Sequence, residues 1–112
     1  MKARVASDRE REWLTLEVVA DSATTPVVGR LTLRWEGQIV ESNRHVQLGD
    51  RWARGCFETY WVELPVAAGV GKDSRLDVII TPDPDYAAIH TFVSRIWGEP
   101  IEILNVPVQW PP

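Results

Sequence analysis

Residues 27–36 read VVGRLTLRWE, and this stretch decides the fold class. Apolar and polar side chains alternate along it, with the apolar ones at Leu31, Leu33 and Trp35. A period of two residues predicts a strand with one buried face. Gly37 interrupts the run, and residues 38–41 are predicted to continue the strand past a bulge or bend.

The same alternation predicts strands on both sides of this stretch. WLTLEVVA also alternates, though less strictly, and residues 12–42 are interpreted as a long hairpin or meander. CFETYWVEL carries aromatic residues on both faces, which predicts a central strand or one covered on both sides. WLTLEVVA is residues 13–20 and CFETYWVEL is residues 56–64. Two further strands are predicted, RLDVIIT at residues 75–81 and a short strand at 101–105.

A different period appears between the last two predicted strands. Apolar residues recur there at helical spacing, at Tyr86, Ile89, Phe92, Val93, Ile96 and Trp97. Asp83 suits the N-cap, Pro84 the first helical position and Gly98 the C-terminal cap. A helix is therefore predicted over residues 84–97.

These elements predict one domain over residues 1–112 of the α+β class, rich in strands. Short connections favour antiparallel pairing, so we expect a curved antiparallel sheet or partly open barrel of about five or six strands. The helix at 84–97 would pack on the sheet. A β-sandwich closed by the helix is the alternative. Pro107, Pro111 and Pro112 predict an irregular tail over residues 106–112.

Composition bounds the class of protein. A chain of 112 residues can bury one core without metals or disulfides. Its net charge of −4 argues against nonspecific nucleic-acid binding. The start lacks an apolar secretory segment, no run is long enough to cross a membrane, and there is one cysteine. We therefore expect a cytoplasmic protein, and ten arginines among twelve basic residues are typical of a GC-rich bacterial coding sequence.

Few residues are candidates for catalysis. Cys56 would need His45 within hydrogen-bonding distance to become a nucleophilic thiolate. Glu58 shares a face with Tyr60, and a carboxylate in an aromatic pocket suits a general base. One cysteine and two histidines without ligand spacing predict no metal site, and no phosphate-binding glycine motif occurs. No cofactor is expected.

A basic segment is the strongest candidate for binding. Residues 43–55 are interpreted mainly as a loop, with a possible short strand at 45–48. Arginine beside an aromatic ring is typical of protein contact surfaces and of base-stacking surfaces. The candidate binding residues are Arg44, His45, Arg51, Trp52 and Arg54.

The six tryptophans divide into two groups. Strand alternation and the helical stripe assign Trp35, Trp61 and Trp97 to the core. No pattern assigns a core position to Trp13, Trp52 and Trp110. An exposed tryptophan can anchor a protein interface or stack on a sugar or base.

These observations leave three functions open. The first is a non-enzymatic protein–protein interaction module, similar in role to an immunity protein, antitoxin or adaptor. Its partner would be another protein, or a second copy if the strand at 75–81 is an edge. The second is a small-molecule-binding barrel or small enzyme, such as a cyclase or isomerase, with Glu58 as base. The third is carbohydrate or single-stranded nucleic-acid binding through exposed tryptophans, with nucleic acid disfavoured by the acidic charge.

Overall fold

The structure is a computed structural model. It describes residues 1–8, 12–19, 27–48, 59–66, 69–71, 74–83 and 99–109. Every regular element in these ranges is a strand. They are β1 (Lys2–Ser7), β2 (Trp13–Val19), β3 (Val27–Trp35), β4 (Gln38–Leu48), β5 (Thr59–Pro65), β6 (Arg75–Pro82) and β7 (Ile101–Gln109).

The seven strands form one mixed sheet in the order β4-β3-β6-β7-β1-β2-β5. All neighbours pair antiparallel except β1 and β7, which pair in parallel at Val5↔Val108 and Ala6↔Gln109. The edge strands β4 and β5 contact each other, so the sheet curls into a half-barrel. We call β3, β4, β6 and β7 the hairpin half, and β1, β2 and β5 the tryptophan half.

The concave face of the sheet forms one core shared by both halves. Alternate residues of β2 and β3 point into it, as their sequences predict, and Leu16 and Leu31 are fully buried. β6 contributes every second residue in the same way. The largest fully buried side chains of the core are Leu16, Leu31, Leu33, Leu48, Leu64, Leu76, Ile80, Val5, Val18, Val28 and Val46.

The β3–β4 hairpin turns through two residues with positive φ, Glu36 at 49° and Gly37 at 79°. Positive φ at both positions is the requirement of the tight turn that matches the twist of paired strands. The predicted bulge or bend at Gly37 is thus a hairpin turn, and residues 38–41 belong to the returning strand. Gly29 allows close packing nearby, because a Cβ there would lie 2.4 Å from the carbonyl oxygen of Thr81.

A β-bulge interrupts the pairing of β6 with β7. Leu76 pairs with Val106 and Val78 with Ile103, so β7 carries one extra residue. Asn105 adopts a φ of 58° within this bulge. Asp77, which lies between the two paired residues of β6, accepts a hydrogen bond from the Asn105 backbone N–H at 3.0 Å.

The predicted α+β class is wrong for the described part of the chain, which contains strands and no helix. The predicted helix at 84–97 lies outside the described residues. The sheet is a single curled mixed sheet, so neither the all-antiparallel sheet nor the alternative sandwich is correct. No helix that is long and apolar enough to cross a membrane occurs within the described ranges.

Several strand positions also differ from prediction. β2 pairs with β1 and β5 and not with β3, so residues 12–42 are not one hairpin. β5 is an edge strand, whereas β6 is central. β7 continues through Pro107 to Gln109, so the predicted irregular tail begins too early.

β4 extends to Leu48 and therefore includes residues 43–48 of the predicted loop, among them the possible short strand at 45–48. β1 was not predicted, because KARVAS has only one large apolar residue, Val5, to mark its buried face.

Candidate functional site

The convex face of the tryptophan half exposes two large aromatic side chains. Trp61 of β5 is 57% exposed and Trp13 of β2 is 45% exposed. Each alternates with buried neighbours on its strand, because Leu14 and Leu64 point into the core. The core therefore uses neither indole as a major packing element.

Strand register fixes the spacing of the two tryptophans. Trp61 lies opposite Glu17, and Trp13 lies opposite Pro65. Glu17 is four positions after Trp13 on β2, a distance of roughly 14 Å along a strand. Because Trp61 lies beside Glu17, the two tryptophans are about that far apart on the same face. That distance lies within the span of a single protein contact patch.

A hollow of about 330 Å³ lies beside Trp61. Arg4, Ala6, Thr15 and Glu17 complete its lining. Ala6 lies opposite Thr15, and its short side chain leaves space between the larger neighbours.

Charges around the hollow are arranged unevenly. Arg4 lies opposite Glu17, and its Nε donates a hydrogen bond to Oε1 of Gln109 at 2.9 Å. Trp61 has Glu17 across the strand pair and Glu63 two residues along its own strand. The described lining of the hollow therefore carries one charge of each sign, Arg4 and Glu17, and Glu63 lies outside it on the same strand as Trp61.

A second concave site lies at the hairpin end of the sheet. It is an open groove of about 620 Å³ beside the β3–β4 turn. Loop residues before β6 and the β7 bulge form its other sides. The lining residues are Trp35, Glu36, Gly37, Gly69, Gly71, Ser74, Arg75, Asp77 and Asn105.

Hydrogen bonds hold the polar side of this groove in place. Arg34 Nε lies 3.2 Å from Oδ2 of Asp77, whose Oδ1 accepts the Asn105 N–H. The Arg75 guanidinium donates to the carbonyl oxygen of Asn105 at 3.2 Å. Ser74 Oγ accepts the Gly71 N–H at 2.8 Å. The bulge and the loop are thereby fixed against β6.

A third cluster joins three strands near the end of β6. His45 Nε2 lies 3.1 Å from Oδ2 of Asp83, and the Arg30 guanidinium lies 3.8 Å from the same oxygen. Arg30 and His45 are direct cross-strand neighbours. The carboxylate of Asp83 can therefore orient the imidazole while pairing with the guanidinium.

The structure divides the predicted binding residues. Arg44 and His45 lie on β4, where they leave opposite faces of the strand. His45 contacts Asp83, which the sequence assigned only to helix capping. Arg51, Trp52 and Arg54 lie outside the described residues.

The predicted catalytic candidates do not come together within the described part of the chain. Tyr60 is half-buried on β5 and faces the core, whereas His45 lies on β4. Cys56 and Glu58 lie outside the described residues, as does Trp110. Among the described residues, no group of three or more His, Cys, Asp or Glu side chains is arranged to hold a metal ion.

Sequence analysis assigned Trp61 to the core, and that assignment is wrong. Both faces of residues 56–64 carry aromatics, so alternation alone does not distinguish the buried face. The groove residues Asp77 and Asn105 were also missed, because the bulge that brings them together has no local sequence signal.

Comparison with protein-family models, with curated proteins and with solved structures gave no match.

Proposed function

We propose that this protein is a non-enzymatic protein-binding module that uses the convex face of its tryptophan half. The observation that carries the proposal is the exposure of Trp61 and Trp13 on one face, beside a hollow. Tryptophan is enriched among the residues that dominate binding energy in protein interfaces. Both rings project from paired strands of the sheet, so binding requires little ordering of the backbone beneath the contact surface.

The exposed Trp61 ring favours a partner that places a lysine or arginine side chain over it, on the side of Glu17 and Glu63. Trp61 offers the electron-rich face of its indole, and Glu17 and Glu63 place carboxylates near it. Arg4 is held by Gln109 and lies opposite Glu17. The net charge of −4 adds long-range attraction for a basic partner.

Affinity capture followed by measured binding tests this proposal. Immobilised wild-type protein is exposed to native extract, and the proteins that it retains above a blank support are identified and purified before any variant is tested. The dissociation constant of the purified partner is then measured by calorimetry. We expect W61A to weaken binding by about 30-fold, the effect of removing a tryptophan hot spot.

Ile39 is the matched control, because it is 65% exposed and lies on β4 in the other half. I39A should change the dissociation constant by less than about threefold. Equal affinity of W61A and wild type would overturn the proposal. A wild-type dimer in light scattering that W61A converts to a monomer would replace the foreign partner with a second copy of the chain.

A further inference from the structure

The groove at the hairpin end combines an aromatic ring with a fixed set of polar groups. We propose that it binds a neutral saccharide, and that this binding is separate from the convex tryptophan surface. Its volume of about 620 Å³ is within the range of sites for small organic ligands. The groove lies among a hairpin turn, a loop and a bulge, whereas the hollow beside Trp61 lies on the face of paired strands.

Trp35 supplies the apolar surface of this groove. It lies at the last position of β3, half-buried against the core. Gly69, with a φ of 92°, lies so close that a Cβ there would be 2.7 Å from Cη2 of the indole. Because residue 69 is glycine, the loop backbone can pack against the edge of the indole. This contact holds the Trp35 ring in position before a ligand binds. Aromatic side chains present such a flat apolar surface to the carbon–hydrogen face of a sugar ring.

The polar side of the groove offers both hydrogen-bond donors and acceptors. Arg75 is exposed, and its guanidinium has more donors than the one it gives to Asn105. Asp77 has lone pairs beyond those that accept Arg34 and Asn105. Hydroxyl groups both donate and accept, so a polyhydroxylated ligand matches this mixture.

Charge balance selects a neutral ligand. Among the described lining residues, Asp77 pairs with Arg34 at 3.2 Å, and the other two charged side chains, Glu36 and Arg75, have opposite sign. Neither a phosphate nor an ammonium group would gain a net electrostatic attraction there. Sugars satisfy the polar groups without an ionic partner.

Nuclear magnetic resonance titration of the ¹⁵N-labelled full chain tests the inference. The probes are cellobiose and maltose, with glucosamine and glucuronate as the cationic and anionic comparators, each up to about 50 mM to detect millimolar dissociation constants. We expect a neutral disaccharide to shift the Trp35 indole N–H and the amides of Gly69 and Ser74 saturably. The W35F variant assigns the indole resonance.

Three variants separate groove binding from general effects. W35A should weaken binding about tenfold, through loss of the aromatic wall. R75Q should weaken it about fivefold, and this exposed substitution preserves folding if W35A does not. T59A, at an exposed position of β5 in the tryptophan half, should leave the titration unaltered. The inference is overturned if neither neutral disaccharide shifts the groove resonances, if R75Q and W35A bind like wild type, or if only the charged sugars bind.

Discussion

The two halves of the sheet share a core but differ on their convex faces. In the hairpin half, polar contacts link the strands: Arg34 of β3 pairs with Asp77 of the neighbouring β6, and His45 of β4 contacts Asp83, which follows β6. In the tryptophan half, the corresponding face presents Trp13 and Trp61 to solvent. The hairpin half uses its polar face to fix local structure, whereas the tryptophan half leaves its aromatic residues free to contact a partner.

Exposed apolar residues alone do not distinguish the halves. Ile39 and Leu104 of the hairpin half are 65% and 51% exposed. Single exposed aliphatic side chains are normal on protein surfaces. The tryptophan half differs because two rigid aromatic rings occupy one face beside a hollow.

The largest expected effect tests whether the halves form one folding unit. Leu16 and Leu76 are fully buried in the tryptophan and hairpin halves, respectively. L16A and L76A should each lower the free energy of unfolding by about 2–5 kcal/mol, because each leaves a cavity. Urea unfolding followed by far-ultraviolet circular dichroism measures this, and one transition is expected. Two separate transitions would show that the halves are independent.

The next effect tests the structural role of the ion pairs in the hairpin half. D77A should cost about 1–2 kcal/mol, because it leaves the Asn105 N–H without its acceptor and breaks the Arg34 pair. R34A should cost less than about 1 kcal/mol, since it removes only a partly exposed pair. Chemical unfolding of both variants measures the difference. Equal losses would mean that Asp77 does not support the bulge.

The smallest expected effect is on the tryptophan half. W61A and W13A should each change the free energy of unfolding by no more than about 0.5 kcal/mol, as expected for surface positions away from special contacts. W35A is the comparison, because Trp35 packs against the core and Gly69. A loss at Trp61 as large as at Trp35 would identify Trp61 as a packing residue and remove the contrast between the halves.

Local alternation predicted the strands that have one strongly apolar face. β2, β3 and β6 were identified in this way, since leucine, valine and isoleucine recur at every second position. β1 lacks that signal. Its parallel pairing with β7 joins the two ends of the chain, and no local pattern encodes such a distant contact.

The candidate sites were harder to predict because they depend on strand order. Trp61 is exposed because β5 lies at the sheet edge with its convex face uncovered, whereas its sequence fits burial on either face. The saccharide groove requires a hairpin turn, a loop and a bulge to meet around Trp35. Those three segments are separated in sequence, so their residue types alone do not predict that they form a groove.

Oxidative footprinting of the tryptophans, read by mass spectrometry, tests the central claim most directly. Purified protein alone should be labelled strongly at Trp13 and Trp61, which are exposed. Addition of the captured partner should protect both residues and leave Trp35 labelling unchanged. Protection of Trp35 alone, or unchanged labelling of Trp13 and Trp61 at saturating partner, would contradict the assignment of the convex tryptophan face as the contact surface.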